Sequence, residues 1–272
     1  MAVASSTKIS LGKGGEFRAV STAGTGTAPA ATATFVQFPY QTEKVTVTAR
    51  NLSTAVSVFV AFNPWLTVLM TTDNMESVID YSKAAQDNST DTDIDLSSMD
   101  TRANGTILLV GADIQYRGVF FDVDATNDAD TSTVSASYWN GSIWVDTGAN
   151  VTGIRTTRVW DKDGIVTWTV PTAWKPASIE KLYPLFTTKT YFYEPALYWT
   201  RWELNAAITD SSVTLNSMSA ANRSTAYGEI LDGQMVSKNI HHGFGGTGCV
   251  EVLGNAGTSN IHINAITSGK FE

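Results

Sequence analysis

Four aspartates crowd into residues 122–130 (DVDATNDAD): Asp122, Asp124, Asp128 and Asp130. Hard cations such as calcium take several oxygens at once, so this spacing could hold one. The run lacks the glycine and the terminal glutamate of an EF-hand loop. A solvated loop after a strand is the plainer reading, and no metal or cofactor is assigned. The acidic run at residues 87–96 (DNSTDTDIDL) is read the same way. The histidines are His241, His242 and His262. Adjacent strand residues point to opposite faces, which makes His241-His242 a poor bidentate pair. No cysteine or carboxylate accompanies them at zinc spacing. The single cysteine, Cys249, has no catalytic motif around it and excludes an internal disulfide. There is no Gly-x-Ser-x-Gly elbow, and Gly12-Lys13-Gly14-Gly15 lacks the P-loop spacing. A glycosidase needs two carboxylates across a cleft; Glu194 and Glu203 are candidates only through their aromatic neighbours. The expectation is a protein that is not an enzyme.

The elements that would position these residues are strands. Residues 44–50 (KVTVTAR) put Val45, Val47 and Ala49 on one face. Val56, Val58, Val60 and Phe62 alternate next, after a turn-like stretch at Asn51, so a hairpin is expected. Residues 65–71 form a third strand. One helix is expected from Asp73, with Glu76 at capping-box distance, through Gln86; Met75, Val78, Ile79 and Ala85 share its face. Residues 105–112 read as a buried strand. Seven of the eight tryptophans follow. Residues 117–124 (RGVFFDVD) form a strand, and residues 134–147 a hairpin turning on Asn140-Gly141. A two-residue turn there pairs Trp139 with Ser142. It also sets Val134, Ala136, Tyr138, Ile143 and Val145 on a core face, with Trp139 and Trp144 diagonal on the other. Strands at 165–170, 196–208 and 212–218 come next, with an aromatic connection at 181–195. Residues 249–253 and 260–266 read as a closing hairpin.

Composition fits that reading. Of 272 residues, 43% are hydrophobic and 10% aromatic, enough for a sizeable core. Only 16% are charged, against about a quarter in ordinary domains. The net charge of −8, with no basic cluster, makes direct nucleic-acid binding an unexpected function. The first residues show neither a basic start nor an apolar stretch, and no apolar run is long enough to span a membrane. A soluble protein with no membrane contact is expected.

The tryptophans carry the one sharp functional option. Outward-facing rings can stack on sugars or fill a partner's pocket, which marks Trp139, Trp144 and Trp174 as candidate partner or glycan contacts. The competing reading buries Trp139 and Trp144 under a loop of the same chain, such as the one bearing Trp174.

Residues 120–215 carry a longer pattern. It runs Arg117-Gly118 into residues 119–124, Tyr138-Trp139-Asn140-Gly141-Ser142 with Trp144, residues 164–171 (GIVTWTVP) with Trp174, then residues 197–204 (LYWTRWEL). This order resembles a Trp-rich β-sandwich module of tailed-phage virion structural proteins. The departure from the pattern is the longer, more aromatic connection at 181–195. The resemblance implies a virion component and supplies no catalytic residue. Head and tail positions are equally compatible with it.

The expected fold is all-β: two β-sandwich or jelly-roll-like domains with one short helix in the N-terminal half. The expected divisions are an arm or linker at 1–34, a β domain at 35–112, the Trp-rich sandwich at 113–220, and a β extension at 221–272. The extension either completes the first domain or reaches a neighbour. The small-residue-rich N-terminal arm at 5–39, with a linker-like stretch at 22–34 (TAGTGTAPAATAT), is expected to order only against neighbouring subunits. The expected function is a head-surface decoration or minor capsid protein, assembled in the host cytoplasm and homo-oligomeric. Its partners would be the major capsid protein or tail proteins. A tail or fibre component and a carbohydrate-binding module stand as alternatives.

Overall fold

A computed structural model describes residues 7–10, 16–21, 34–37, 42–50, 58–87, 92–129, 131–183, 196–210, 212–221, 228–239, 247–254 and 259–267. The chain forms two compact units, one of Met1–Trp65 with Ser219–Glu272 and one of Leu66–Met218. The strands in order are β1 (Thr7–Ser10), β2 (Glu16–Ser21), β3 (Thr34–Gln37), β4 (Thr42–Arg50) and β5 (Val58–Pro64). There follow β6 (Thr67–Thr71), β7 (Ile79–Asp80), β8 (Ile94–Asp95), β9 (Ile107–Ala112), β10 (Gly118–Ala125), β11 (Val134–Trp139) and β12 (Trp144–Asp146). Then come β13 (Gly164–Thr167), β14 (Tyr198–Leu204), β15 (Thr214–Ala221), β16 (Gly228–Ile230), β17 (Met235–Asn239), β18 (Thr247–Gly254) and β19 (Ser259–Thr267). Helix is confined, among the described residues, to single turns, including α1 (Ala84–Asp87) and α2 (Ile179–Leu182). The protein is all-β.

The first unit stacks two sheets, ordered β1-β3-β18-β5-β16 and β17-β4-β19-β2. Val36, Val58, Val60, Val250 and Val252 of the first sheet pack on Val45, Val47, Ala49 and Ile263 of the second. Successive strands pass from one sheet to the other, as in a jelly roll. Two expected hairpins are thereby corrected. β4 and β5 do not pair, and neither do β18 and β19; each pair faces across the core instead. Period-2 alternation says which side of a strand is buried, and both arrangements satisfy it equally. The turn-like stretch at Asn51 lies outside the described residues.

The stretch expected as an arm contributes two strands. β1 runs parallel to β3, and β2 pairs antiparallel with β19. The unit boundaries also differ from those expected. β6 and β9, assigned from sequence to an N-terminal domain, belong to the Trp-rich unit: β9 pairs with β14 from Ala112↔Tyr198 to Leu108↔Trp202. Residues beyond 221 supply β16 to β19 to the first unit.

In the second unit a six-stranded sheet, β12-β11-β14-β9-β6-β7, packs on a four-stranded one, β13-β10-β15-β8. Phe121 of β10 meets Trp202 of β14 edge-on, with ring centroids 5.1 Å apart. Trp168 bridges Trp202 and Trp174 at 6.1 and 6.4 Å. Tyr116 sits between Trp168 and Trp174 at 5.5 and 5.1 Å. The Tyr116 hydroxyl lies 2.7 Å from the Val110 carbonyl and 2.8 Å from the Thr200 hydroxyl. Burial, opposed by those bonds to Thr200, raises its pKa far above the ordinary phenol value. Every residue of β9 is buried, which accounts for its unbroken apolar run.

Two local expectations change. Residues 73–86 are not one helix. Asn74 and Met75 have φ of 58° and 74°, and the chain makes a turn before the short strand β7. Asp73 does cap, but it caps the turn: its carboxylate accepts from the Ser77 N–H at 2.9 Å and also from the Ser77 hydroxyl. Those bonds from Ser77 hold its pKa below the ordinary carboxylate value. The Asn140-Gly141 turn also spans more than two residues. Trp139 pairs directly with Trp144, closing a four-residue loop. The Asn140 side-chain oxygen accepts from the N–H groups of Ser142 and Ile143, both at 2.9 Å, which widens the turn. Ile143 is consequently exposed instead of facing the core.

Trp160 has φ of 56°, a conformation costly for a bulky residue, yet its ring is fully buried 6.2 Å from Phe121. The turn leading into it is held by Asp161, whose carboxylate accepts from the N–H groups of Thr156, Thr157 and Arg158 at 2.6, 2.8 and 3.0 Å. Burial pushes the Asp161 pKa up, but these donors outweigh it and leave the group below its ordinary value. A depressed folded pKa means the stabilisation is present above the unfolded pKa and is lost as pH falls through the folded one. The stability gap between the native chain and Asp161→Asn should therefore shrink from neutral pH to about pH 3, read by urea unfolding. A second expectation concerns Gly111, where an added Cβ would lie 2.6 Å from the Trp199 ring. Gly111→Ala should cost about 1–3 kcal/mol in the same measurement.

Candidate functional site

The six-stranded sheet has one face in the sandwich core and another that carries the candidate residues. Alternation along β11 places Ser135, Ser137 and Trp139 on this second face, and β14 adds Trp199, Arg201 and Glu203. The strand pairings bring Ser135 beside Glu203 and Ser137 beside Arg201.

One end of this face is roofed by the chain itself. Ala177 and Leu197 form a backbone bridge. Between them α2 starts at Ser178, whose hydroxyl accepts from the Lys181 N–H. Ile179 and Leu182 of α2 pack on Trp139, Trp199, Leu69 and Leu109. The Trp199 indole donates to the Ala177 carbonyl at 2.8 Å, tying roof to sheet. Tyr183 packs against the same cluster; burial raises its pKa against the opposing charge of Arg201.

The other end is polar. Arg201 is 5% exposed and lies over the Trp144 ring, 4.7 Å from its centroid. Its guanidinium meets Glu203 twice, Nε to Oε1 at 3.1 Å and Nη2 to Oε2 at 3.3 Å. Arg102, more than half exposed, adds a third contact to Glu203 Oε1 at 3.4 Å. Thr101, Arg102, Thr133, Ser135, Glu203 and Asn205 are among the residues lining an open cavity of about 370 Å³. The cavity can hold a polar group of a partner.

Trp139 lies under the roof and Trp144 is half-buried at its margin, edge-to-face with Trp139 at 5.6 Å. Trp174 lies on the opposite face of the sheet, 2% exposed, among Tyr116, Tyr138 and Tyr198. Its indole donates to the Trp199 carbonyl at 3.1 Å. The three rings do not form a shared outward platform. Trp139 and Trp144 are covered by residues 177–183, a different segment from the one bearing Trp174.

The remaining candidates are scattered. Asp122 accepts from Ser217 on the neighbouring strand, and the Asp128 N–H donates to Asp210. Asp130, Glu194, His241 and His242 lie outside the described residues. Among the described residues no three His, Cys, Asp or Glu side chains group in a way that could hold a metal. Cys249 is a buried thiol. Sequence reasoning missed Arg102 and Tyr183, and gave Arg201 no role. The available signal was Arg201 two residues before Glu203 on an otherwise apolar strand, since such spacing puts both on one face.

No protein-family model matches this chain, and no curated protein matches it.

The Arg201–Glu203 pair is testable by a double-mutant cycle. Among the described residues, Arg201→Met alone leaves Glu203 with only Arg102, and it should cost about 3 kcal/mol. Adding Glu203→Leu should recover much of that loss. Trp144→Ala removes both the ring contact and the cation's seat, and should cost about 1–3 kcal/mol in denaturant unfolding.

Proposed function

We propose that this chain is a structural protein of a tailed-phage virion, acting through protein–protein contacts as a head-surface decoration or minor capsid protein. One observation carries the reading. Of the six tryptophans of the phage-module resemblance, Trp139, Trp168, Trp174, Trp199 and Trp202 are buried and Trp144 is half-buried, so the pattern is largely consumed in building the sandwich and the roof on its sheet. A module kept for its framework suits an assembly protein better than a reader of small ligands. The low charge fraction supports the same reading, because surfaces that meet other proteins are poor in charge at their centres. The polar cavity around Arg102 and Glu203 supplies a specific point of contact. A carbohydrate-binding role rested on exposed rings, and of its three candidates only Trp144 keeps appreciable exposure.

The test is sedimentation. The purified protein is mixed with phage shells lacking it, and separately with tails. Saturable co-sedimentation with shells is the expected result and yields the copy number. Binding to tails alone would replace decoration with a tail or fibre role. Binding to neither, by a monomeric protein that is retained on host glycans through Trp144, would overturn the assembly reading.

A further inference from the structure

The chain contains two Asn-Gly pairs, Asn104-Gly105 and Asn140-Gly141. This dipeptide is chemically labile, because the glycine nitrogen can attack the asparagine side-chain carbon with no Cβ in its way. The structure treats the two pairs in opposite ways.

At Asn104 each reacting group is engaged. The side-chain amide donates to Asp100 Oδ2 at 2.7 Å, which holds the leaving nitrogen. The Gly105 N–H, the nucleophile, donates to the Arg102 carbonyl at 2.9 Å. Gly105 is buried, with the backbone of Asn74 and Thr72 close around it. The Asp100 charge beside the amide also disfavours the anionic nitrogen that must form.

At Asn140 the reacting groups are free. Neither the Gly141 N–H nor the Asn140 side-chain amide nitrogen donates a hydrogen bond among the described residues. The Asn140 side-chain oxygen accepts two, from Ser142 and Ile143, which draws electron density from the carbon under attack. Ser142 and Ile143 are exposed, so water reaches the turn.

We propose that the open Asn140-Gly141 turn is a site of spontaneous deamidation, with water as co-reactant, while Asn104-Gly105 is protected by the fold. The Gly141 nitrogen gives its proton to hydroxide and bonds to the Asn140 side-chain carbon. The bond from that carbon to Nδ2 breaks, and Nδ2 leaves as ammonia after taking a proton from water. Water then opens the cyclic imide at either carbonyl. One opening gives aspartate; the other gives isoaspartate, with an added methylene in the backbone. Nothing is oxidised or reduced. Both products place a negative charge at the tip of the β11–β12 hairpin. Isoaspartate also lengthens the connection that sets Trp139 opposite Trp144.

The experiment uses the intact folded protein, held at physiological temperature in mildly alkaline buffer and sampled over time. Trypsin cuts after Arg102, Arg117 and Arg155, which places the two asparagines in different peptides. Mass spectrometry follows deamidation in each, and enzymatic methylation labels isoaspartate. A parallel sample unfolded in urea reads the intrinsic rates. The expected result is conversion at Asn140 with isoaspartate formed, little change at Asn104, and similar rates for both in urea. Conversion of Asn104 as fast as Asn140 in the folded protein would overturn the proposal. So would an Asn140 that stays intact when folded yet converts in urea.

Discussion

Burying a tryptophan brings its indole N–H away from water, and the second unit is arranged around finding acceptors for several such groups. Trp202 donates to the Thr200 hydroxyl at 2.9 Å, and that hydroxyl lies 3.2 Å from the Val110 carbonyl. Tyr116 joins the same knot through its own hydroxyl. Three elements are thus tied together inside the sandwich, each group supplying what another lacks. On the opposite face Trp199 reaches the Ala177 carbonyl and fixes the roof. Strand β14 therefore holds the sandwich core with one set of side chains and the roof with the other. Among the described residues, the indoles of Trp139, Trp160 and Trp168 are buried without an acceptor. Each such group costs about 1–3 kcal/mol, which the area of the large rings must offset.

The roofed face explains why aromatics and charges sit side by side along β14. Trp199 belongs to the apolar half of that face and Arg201 to the polar half. Trp144 stands at the boundary, where its edge contacts Trp139 and its face receives the guanidinium. A lysine would not serve as well there, because a planar guanidinium can stack on a ring and meet a carboxylate in the same pose. The polar half borders an open cavity lined by Arg102, Ser135 and Glu203, although Arg201 itself is buried.

The first unit rests on a different arrangement. Valine alternation on β4, β5 and β18 supplies its core, and consecutive strands contribute from opposite sheets. Long-range pairing follows: β18 joins β3 and β5, far away in sequence. Glu251 and Asn63, on adjacent strands of that sheet, are both fully buried and hydrogen-bond at 3.0 Å. A buried carboxylate of this kind restricts how the strands can slip, since a shifted register would strand it without its partner.

Much of the local structure was legible in the residues. The alternation at Val45, Val47 and Ala49 named a buried face correctly, and the apolar run at 107–112 named a strand buried on both sides. The all-β class followed from such periods alone. Neighbours were not legible, because a period of two records burial and is silent about which strand lies alongside. That is why β4 and β5 read as a hairpin and instead face each other across a core. The turn at Asn140 was visible from its dipeptide, but its width was decided by the side-chain oxygen capping two N–H groups. The helix expected after Asp73 had a cap and an apolar stripe; the turn at Asn74 and Met75 and the pairing of β7 with β6 prevailed over local propensity. At the candidate site the residue types were visible in the sequence. Only the tertiary fold decided that α2 would cover Trp139, that Trp174 would face the sandwich core, and that Arg201, Arg102 and Glu203 would meet. Those contacts join residues distant along the chain, and their energy exists only once the sheet is assembled.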